Sequence, residues 1–351
     1  MKPNRPLHVS AAGVILALGG LFALLARADM PGQGSRSAAG REIATHAVRF
    51  QNEGVTLAGE VLLPASEHPV PAVVLIHGSG PSDRSQTWAS AFARGLAELG
   101  IAVLLPDKRG SGESGGEWKT ASFEVLADDA IAGIGALERI EEVDGRRIGV
   151  LGLSQGGHIA PLAASRTPRI AFVVDVAGSA VPMTDQVIDE VEKLAEREGF
   201  RPEQIDRVDA LHRMAIRYGL TGEGWDEYEA ALTAALESDL AGHGVVEPFP
   251  RTPEHWVWSW ARVVGDYDPL PYWEALEVPG LVVYGGQDTQ IHVAESVARL
   301  LGAASDRPTE LTLAVFAQAG HGLSEQRKHE YRIRPDALSL ISSWILQAAP
   351  R

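Results

Sequence analysis

The sequence predicts an α/β fold in which a mostly parallel central sheet is flanked by helices. Three observations predict it: short apolar runs of strand length recur, helical patterns separate them, and one long stretch contains helical patterns alone. Apolar runs without alternation are typical of strands covered on both faces. Strands that alternate with helices form right-handed crossovers within a parallel sheet. The stretch without strands is expected to be a helical insertion.

Five segments follow from this pattern. Residues 1–28 differ in composition from the rest, and residues 29–44 are expected to form a flexible linker because Gly, Ser and Ala dominate them. Residues 45–181 and 273–351 carry the alternation of strands and helices and are assigned to the core. Residues 182–272 are assigned to a helical cap inserted between two strands of the sheet.

The first 28 residues are typical of a secretory signal peptide. Lys2 and Arg5 give a basic start, Val9–Leu25 is apolar and uncharged, and small residues flank Arg27 before Asp29. We therefore expect export to the periplasm or the medium. Because 17 apolar residues lie at the short limit for crossing a bilayer, an uncleaved inner-membrane anchor is the alternative, and the membrane would then be contacted through this segment alone.

Composition excludes several functional classes. With 45% hydrophobic and 22% charged residues the chain has an ordinary globular composition. A net charge of −15 argues against a nucleic-acid partner, because binding to phosphates requires a basic surface. The sequence contains no cysteine, which excludes disulfides and a thiolate nucleophile. The sequence leaves the oligomeric state open.

The first half of the chain reads as a hairpin followed by alternating strands and helices. The turn Asn52-Glu53-Gly54 separates the two hairpin strands. In chain order we predict the hairpin over Ala47–Pro64, a strand over Pro71–Ile76, a helix over Thr87–Leu99, a strand over Ala102–Leu105, a helix over Phe123–Glu141, a strand from Arg146 to Ser154, and then a further helix.

The second half contains the insertion and the end of the sheet. The insertion is expected to hold helices over Thr184–Arg197, Pro202–Tyr218, Trp225–Leu240 and Pro253–Val264. Around it we predict strands over Ile170–Val176, Gly280–Tyr284 and Glu310–Phe316, and helices over Val293–Leu301 and Pro335–Gln347.

Ser154 stands where a strand meets a helix, in the pattern G-x-S-x-G. A sharp turn there forces the serine into strained backbone geometry and requires residues with almost no side chain two positions before and after it. Gly152 and Gly156 meet this requirement. The following helix directs its free N–H groups toward the site, where they can stabilise an oxyanion. Ser154 is therefore predicted to be a nucleophile.

Asp288 and His321 each follow a predicted strand, as Ser154 does. The carboxyl ends of parallel strands meet at one edge of a sheet, so these side chains are expected to lie close together. An imidazole can remove the proton of a serine hydroxyl at neutral pH, and a carboxylate can fix its tautomer. Asp175 also follows a predicted strand and is the alternative acid.

The segment from His77 to Gly80 ends the strand beside that of the nucleophile. Its glycines allow the backbone to approach a substrate closely. We therefore predict an oxyanion hole formed by the backbone N–H groups of Ser79 and Gln155, with His77 and Gly78 contacting substrate.

The motifs of this chain resemble those of the α/β-hydrolase superfamily over about residues 45–350. Within it, the chain is similar to bacterial serine hydrolases grouped with serine aminopeptidase-like and prolyl-oligopeptidase-like esterases. The resemblance implies an α/β-hydrolase fold and an ester or amide hydrolase in which Ser154 is the nucleophile, Asp288 the acid and His321 the base. The matching segments are His77–Arg84, Pro106–Ser114, Gly152–Gly157, Gly285–Asp288 and Gly320–Gly322.

The predicted function is that of a carboxylesterase acting on small to medium acyl esters, a small-molecule substrate, without a cofactor. An aminopeptidase or another amide hydrolase using the same three residues is the main alternative. A binding protein on this fold without catalysis is a second alternative, which the presence of Ser154, Asp288 and His321 together disfavours.

Two further features remain outside the predicted catalytic group. The run His255–Trp260 holds three tryptophans and is expected to pack the cap, although Trp256 and Trp260 could instead line an acyl pocket. The remaining histidines lack the spacing of metal ligands, so no metal site is predicted.

Overall fold

The computed structural model describes residues 42–305, 310–327 and 330–348. The predicted signal segment, 1–28, and residues 29–41 of the predicted linker lie outside these ranges. Ile43 and Ala44, which the sequence assigned to the linker, instead begin the first strand because they pair with Pro64 and Leu63. Over the ranges described, no helix is long and apolar enough to cross a membrane.

Strands and helices alternate through most of the described chain. In order they are β1 (Ile43–Asn52), β2 (Val55–Pro64), β3 (Val70–Ile76), α1 (Thr87–Glu98), β4 (Ala102–Pro106), α2 (Phe123–Leu137), β5 (Val143–Leu153), α3 (Gln155–Arg166), β6 (Val173–Val176), α4 (Met183–Arg197), α5 (Pro202–Thr221), α6 (Trp225–Leu236), α7 (Trp256–Val264), α8 (Leu270–Glu274), β7 (Gly280–Gly285), α9 (Val293–Ala304), β8 (Leu311–Phe316), β9 (Ser324–Arg327), β10 (Glu330–Ile333) and α10 (Pro335–Gln347). A short 3₁₀ helix covers Trp118–Thr120.

Eight strands form one sheet in the order β1-β2-β4-β3-β5-β6-β7-β8. β1 pairs antiparallel with β2, and β2 antiparallel with β4, whereas every other neighbouring pair is parallel. The carboxyl ends of β3 to β8 therefore share one edge of the sheet. This confirms the predicted mostly parallel α/β sheet.

The chain forms two compact units. Residues 187–265 form a helical unit, and the described residues before and after them form the sheet unit. The predicted cap, 182–272, extends further at both ends. The difference arises because the Met183 N–H donates to the Tyr267 carbonyl and the Thr184 N–H donates to the Asp266 carboxylate, so both ends of the insertion are joined within the sheet unit.

Each unit has its own apolar core. In the sheet unit, inward side chains of the central strands pack with Phe92 and Leu96 of α1 and with Ile341 and Ile345 of α10. In the helical unit, the fully buried Trp258 lies at the centre of a cluster of aromatic and aliphatic side chains.

Besides shifts of a few residues at the ends of elements and the 3₁₀ helix at Trp118–Thr120, the structure adds two features to the predicted elements. The five-residue helix α8 and the hairpin of β9 and β10 were not predicted. Elements of four or five residues are too short to show a periodic apolar pattern, and β9 and β10 consist mainly of polar residues.

Candidate active site

Ser154 occupies the apex of the turn between β5 and α3. Its backbone has φ 52° and ψ −117°, a conformation that costs a non-glycine residue about 1–3 kcal/mol. Its N–H donates to the Val176 carbonyl at 2.9 Å, which holds the turn against β6. The side chain makes no capping hydrogen bond to α3. The hydroxyl is therefore presented by the turn without being used to stabilise the helix.

The two glycines around Ser154 are required by close packing of backbone. A Cβ atom on Gly152 would overlap the backbone of Gly156, and a Cβ atom on Gly156 would overlap the carbonyl of Ile76 at the end of β3. Side chains at either position would push α3 away from the sheet. The pattern G-x-S-x-G thus follows from the sharpness of this turn.

His321 and Asp288 form a hydrogen-bonded pair after β8 and β7. The Nδ1 atom of His321 lies 2.8 Å from Oδ2 of Asp288. The other carboxylate oxygen, Oδ1, accepts the N–H groups of Gln290 at 2.8 Å and Ile291 at 3.3 Å. The Asp288 side chain is fully buried, whereas that of His321 is 11% exposed. These contacts fix the Asp288 carboxylate. Because the imidazole of His321 binds it through Nδ1, Nε2 is the ring nitrogen that can transfer a proton.

Backbone contacts hold the two loops that carry this pair. The Gly286 N–H donates to the Phe316 carbonyl at 2.9 Å, and the Gln287 N–H donates to the Ala319 carbonyl at 2.8 Å. A Cβ atom on Gly285 would overlap the carbonyls of Ala319 and Gly320. The glycines before Asp288 thus allow its loop to lie directly against that of His321.

Trp88 of α1 contacts the His321 loop, a role that the sequence did not indicate. Its Nε1 donates to the Gly322 carbonyl at 3.0 Å, and its ring centroid lies 5.4 Å from that of the imidazole. A lone tryptophan on a helix carries no sequence signal for such a contact.

Asp175, the alternative acid, has a different environment. Its Oδ1 accepts the Gly178 N–H at 2.8 Å, and its carboxyl lies against Gly157. Burial raises the pKa of Asp175 to about 8, so the carboxyl is mainly protonated at neutral pH. A neutral carboxylic acid cannot stabilise an imidazolium as a carboxylate does. The structure pairs His321 with Asp288 instead.

The loop after β3 passes beside Ser154. A Cβ atom on Gly78 would lie 3.4 Å from the Ser154 Cβ. Ser79, the next residue, is half-buried, and Gln155 is the first residue of α3, where backbone N–H groups have no partner inside the helix. Gln155 is thus the neighbour of Ser154 in the chain, and Ser79 follows a residue that lies beside Ser154.

His77 fixes this loop to the neighbouring strand. Its Nε2 lies 2.7 Å from the Pro106 carbonyl at the end of β4 and donates to it. Burial lowers the pKa of His77 to about 4, so the ring is neutral at pH 7. The residue is 4% exposed, and its ring contacts a backbone carbonyl.

Lys108 is a second residue near the site that the sequence analysis did not single out. Its Nζ donates to the Gly78 carbonyl at 2.9 Å and to Oε1 of Gln155 at 3.2 Å. Lys108 belongs to the segment Pro106–Ser114, which resembles a motif of the superfamily. That resemblance does not show which groups the Lys108 side chain contacts.

The predicted aromatic lining belongs to the helical unit. Trp256 is half-buried and packs against that unit's core, and Trp260 is buried. Between them in sequence, Trp258 contacts Tyr218, Trp225 and Tyr228, as expected for cap packing. Contact of Trp256 or Trp260 with substrate stays a prediction.

The model of the alpha/beta hydrolase family matches residues 73–332, which include every residue of the site described above. The chain belongs to this family. It is 27% identical over 253 residues to esterase EstD of Thermotoga maritima, an alignment that covers 69% of this chain and 53% of EstD. The chain thus spans about half the length of that curated relative.

Solved structures of alpha/beta hydrolases share the fold. An esterase of Pyrococcus furiosus aligns with a TM-score of 0.52 at 20% identity, over 80% of this chain and 84% of that one. The acylaminoacyl peptidase of Pyrococcus horikoshii aligns with a TM-score of 0.52 at 16% identity, over 88% of this chain and 42% of that one. These likenesses support the fold alone.

Proposed function

We propose that this alpha/beta hydrolase is a serine hydrolase that cleaves small to medium carboxylic esters through an acyl-enzyme. The observation that carries the proposal is the pair of His321 and Asp288, at 2.8 Å, at the same edge of the sheet as the strained turn of Ser154. A base with a fixed tautomer and a serine presented on a sharp turn are the components that nucleophilic acyl transfer requires.

In the proposed reaction Ser154 Oγ attacks the ester carbonyl while His321 Nε2 takes its proton. The buried Asp288 carboxylate stabilises the imidazolium through Nδ1. The imidazolium then protonates the leaving alkoxide as the tetrahedral intermediate collapses to the acyl-enzyme. Water, deprotonated by the same imidazole, releases the carboxylic acid and restores Ser154.

The negative charge of the tetrahedral intermediate requires donors that are already oriented. We assign this role to the backbone N–H groups of Ser79 and Gln155, because Ser79 follows Gly78, which lies beside Ser154, and Gln155 begins the helix after Ser154. Such donors stabilise the transition state more than the ground state, because the oxygen gains charge as the bond forms. His77 fixes this loop to the end of β4 through the Pro106 carbonyl, and the Lys108 ammonium donates to the Gly78 carbonyl.

Similarity to esterase EstD favours an ester as substrate. Amide hydrolysis is the second candidate, because a serine, a histidine and an aspartate in these roles can cleave amides as well as esters. The two candidates share the same nucleophile, base and acid, so they differ in the leaving group that the site protonates.

Paired chromogenic substrates separate the candidates. We expect purified protein to hydrolyse p-nitrophenyl acetate, butyrate and octanoate with kcat/KM well above that for aminoacyl p-nitroanilides. Ser154→Ala is the matched control and should abolish both activities. Higher efficiency on the anilides would replace the esterase proposal with a peptidase, and hydrolysis that survives in Ser154→Ala would reject both.

We further propose export, on the sequence of residues 1–28 alone. A tagged full-length chain expressed in a Gram-negative host should accumulate in the periplasm with its N-terminus at residue 29. Recovery of the intact chain from the inner membrane would favour the anchor, and an intact cytoplasmic chain would reject export.

A further inference from the structure

Lys108 is a buried cation directly behind the predicted oxyanion hole. It follows β4, and the residue is 8% exposed. Its Nζ donates to the Gly78 carbonyl and to the Gln155 side chain, and it lies 5.9 Å from the centre of the Trp118 ring. In the described part of the chain no carboxylate forms an ion pair with it. Burying an ammonium without a counter-ion is costly, so its placement calls for an explanation.

One acceptor shares a peptide group with a predicted oxyanion donor, and the other is the side chain of the residue that supplies the second donor. The Gly78 carbonyl is part of the same peptide unit as the Ser79 N–H. Hydrogen bonds in series polarise one another, so a cation that donates to this carbonyl makes the N–H a stronger donor. The second acceptor, Oε1, belongs to the residue that supplies the other N–H. One ammonium thus contacts both halves of the predicted hole.

The backbone of Lys108 is fixed independently of its ammonium. Its N–H donates to the Ser82 carbonyl at 2.9 Å. The preceding residue, Asp107, accepts the backbone N–H of Arg84 and both ends of its guanidinium at 3.0 Å. These contacts join the loops after β3 and β4. Removal of the ammonium alone should therefore leave the loops in place.

We propose that Lys108 is a positioning residue whose positive charge, acting through the Gly78–Ser79 peptide and Gln155, strengthens the oxyanion hole. This inference rests on the proposed function, because it requires an oxyanion to form beside Ser154. The charge acts on the transition state and little on the neutral ester, so it should govern kcat more than KM.

Because the Lys108 ammonium can lose its proton, the proposal predicts a specific dependence of kcat/KM on pH. Burial lowers the pKa of Lys108 to about 7. Two charged neighbours of Lys108 have partners of their own: Asp107 pairs with Arg84, and Arg109 pairs with Asp129. The ring of His77 is neutral. The charge should therefore be lost as the pH rises above about 7, and kcat/KM should fall in the same range.

The decisive experiment compares Lys108→Met with Lys108→Arg on a p-nitrophenyl ester from pH 5.5 to 9.5. We expect Lys108→Met to lower kcat by about 10- to 100-fold, with KM within about threefold, and to remove the alkaline decline. Lys108→Arg should keep part of the rate and show no decline, because a guanidinium stays charged. Lys119→Met is the matched control, since Lys119 lies 5.8 Å from the same Trp118 ring, and it should behave as wild type.

A trifluoromethyl ketone, which forms a tetrahedral oxyanion adduct with a serine, provides a second measurement. Its inhibition constant should rise in Lys108→Met by the factor by which kcat/KM falls. An unchanged kcat, an alkaline decline that persists in Lys108→Met, or an unchanged inhibition constant would overturn the proposal. Should Lys108→Met fail to fold, a wild-type kcat/KM that stays level to pH 9.5 would overturn it.

Fluorophosphonate labelling of Ser154 in the wild type distinguishes this failure from that of the proposed function. If Ser154 reacts but the Lys108 variants behave as wild type, the role of Lys108 is wrong and the hydrolase proposal stands. If Ser154 does not react, both proposals are wrong.

Discussion

The Nδ1 atom of His321 lies 2.8 Å from Oδ2 of Asp288, although a second buried carboxyl, that of Asp175, lies within the neighbouring strand β6. Asp288 accepts two backbone N–H groups on its other oxygen, which hold the carboxyl group in place beside His321. Asp175 accepts one such group, and burial raises its pKa to about 8. The two environments assign different roles to the two carboxyls.

Matched amide substitutions test this assignment. Asp288→Asn should lower kcat by about 10³–10⁴-fold, because an amide cannot stabilise the imidazolium or hold its tautomer. Asp175→Asn should retain kcat within a few fold. Steady-state rates on a p-nitrophenyl ester measure both. A loss in Asp175→Asn equal to that in Asp288→Asn would contradict the assignment.

Asp175 should also make stability depend on pH. Its pKa is raised from about 4 in the unfolded chain to about 8 in the folded one, so the folded state holds a proton that the unfolded state releases. The free energy of unfolding should therefore fall by up to about 1.4 kcal/mol per pH unit between pH 4 and 8 from this group. In Asp175→Asn this contribution should vanish. Urea unfolding at pH 5, 6, 7 and 8 measures it, and parallel curves for the variant and wild type would contradict it.

Gly156 should tolerate no side chain. Gly156→Ala places a methyl group on the Ile76 carbonyl, and we expect a cost of about 3 kcal/mol or more, or no folded protein. Gly302→Ala is the control, because the Gly302 Cβ position in α9 is open and alanine favours a helix by about 0.5–1 kcal/mol. Thermal unfolding compares the two. A Gly156→Ala protein as stable as wild type would refute the close approach of α3 to β3.

Trp88 should act through the His321 loop. Trp88→Phe removes the N–H that donates to the Gly322 carbonyl. We expect kcat to fall by about 3- to 10-fold, which corresponds to the net free energy of one hydrogen bond. Trp344→Phe loses a similar bond, to Thr312, and should leave kcat unchanged. Equal effects of the two substitutions on kcat would show that Trp88 acts through general stability.

Much of the fold could be predicted because its signals are local. A few consecutive residues are enough to predict the strands β3, β5 and β7, which are apolar runs, and the turn at Gly152–Gly156. Because Ser154, Asp288 and His321 each follow a predicted parallel strand, the sequence alone predicted that they lie at one edge of the sheet. The hairpin of β9 and β10 could not be predicted, because its polar strands carry no apolar pattern.

The missing parts of the site depend on contacts between distant segments. Trp88 reaches Gly322 across more than two hundred residues, and Lys108 reaches Gln155 from a different strand. Neither side chain has a periodic or spacing signal. The sequence favoured Asp288 over Asp175 as the acid, but it could not reveal the burial and the hydrogen-bond partners that distinguish the two carboxyls.

Labelling by a fluorophosphonate tests the central claim most directly. The probe reacts with a serine whose hydroxyl is activated by a base and whose oxyanion is stabilised. Peptide mass spectrometry should find the adduct on Ser154, and Ser154→Ala and His321→Ala should remain unlabelled. An adduct on another residue, or undiminished labelling of Ser154→Ala, would contradict the account.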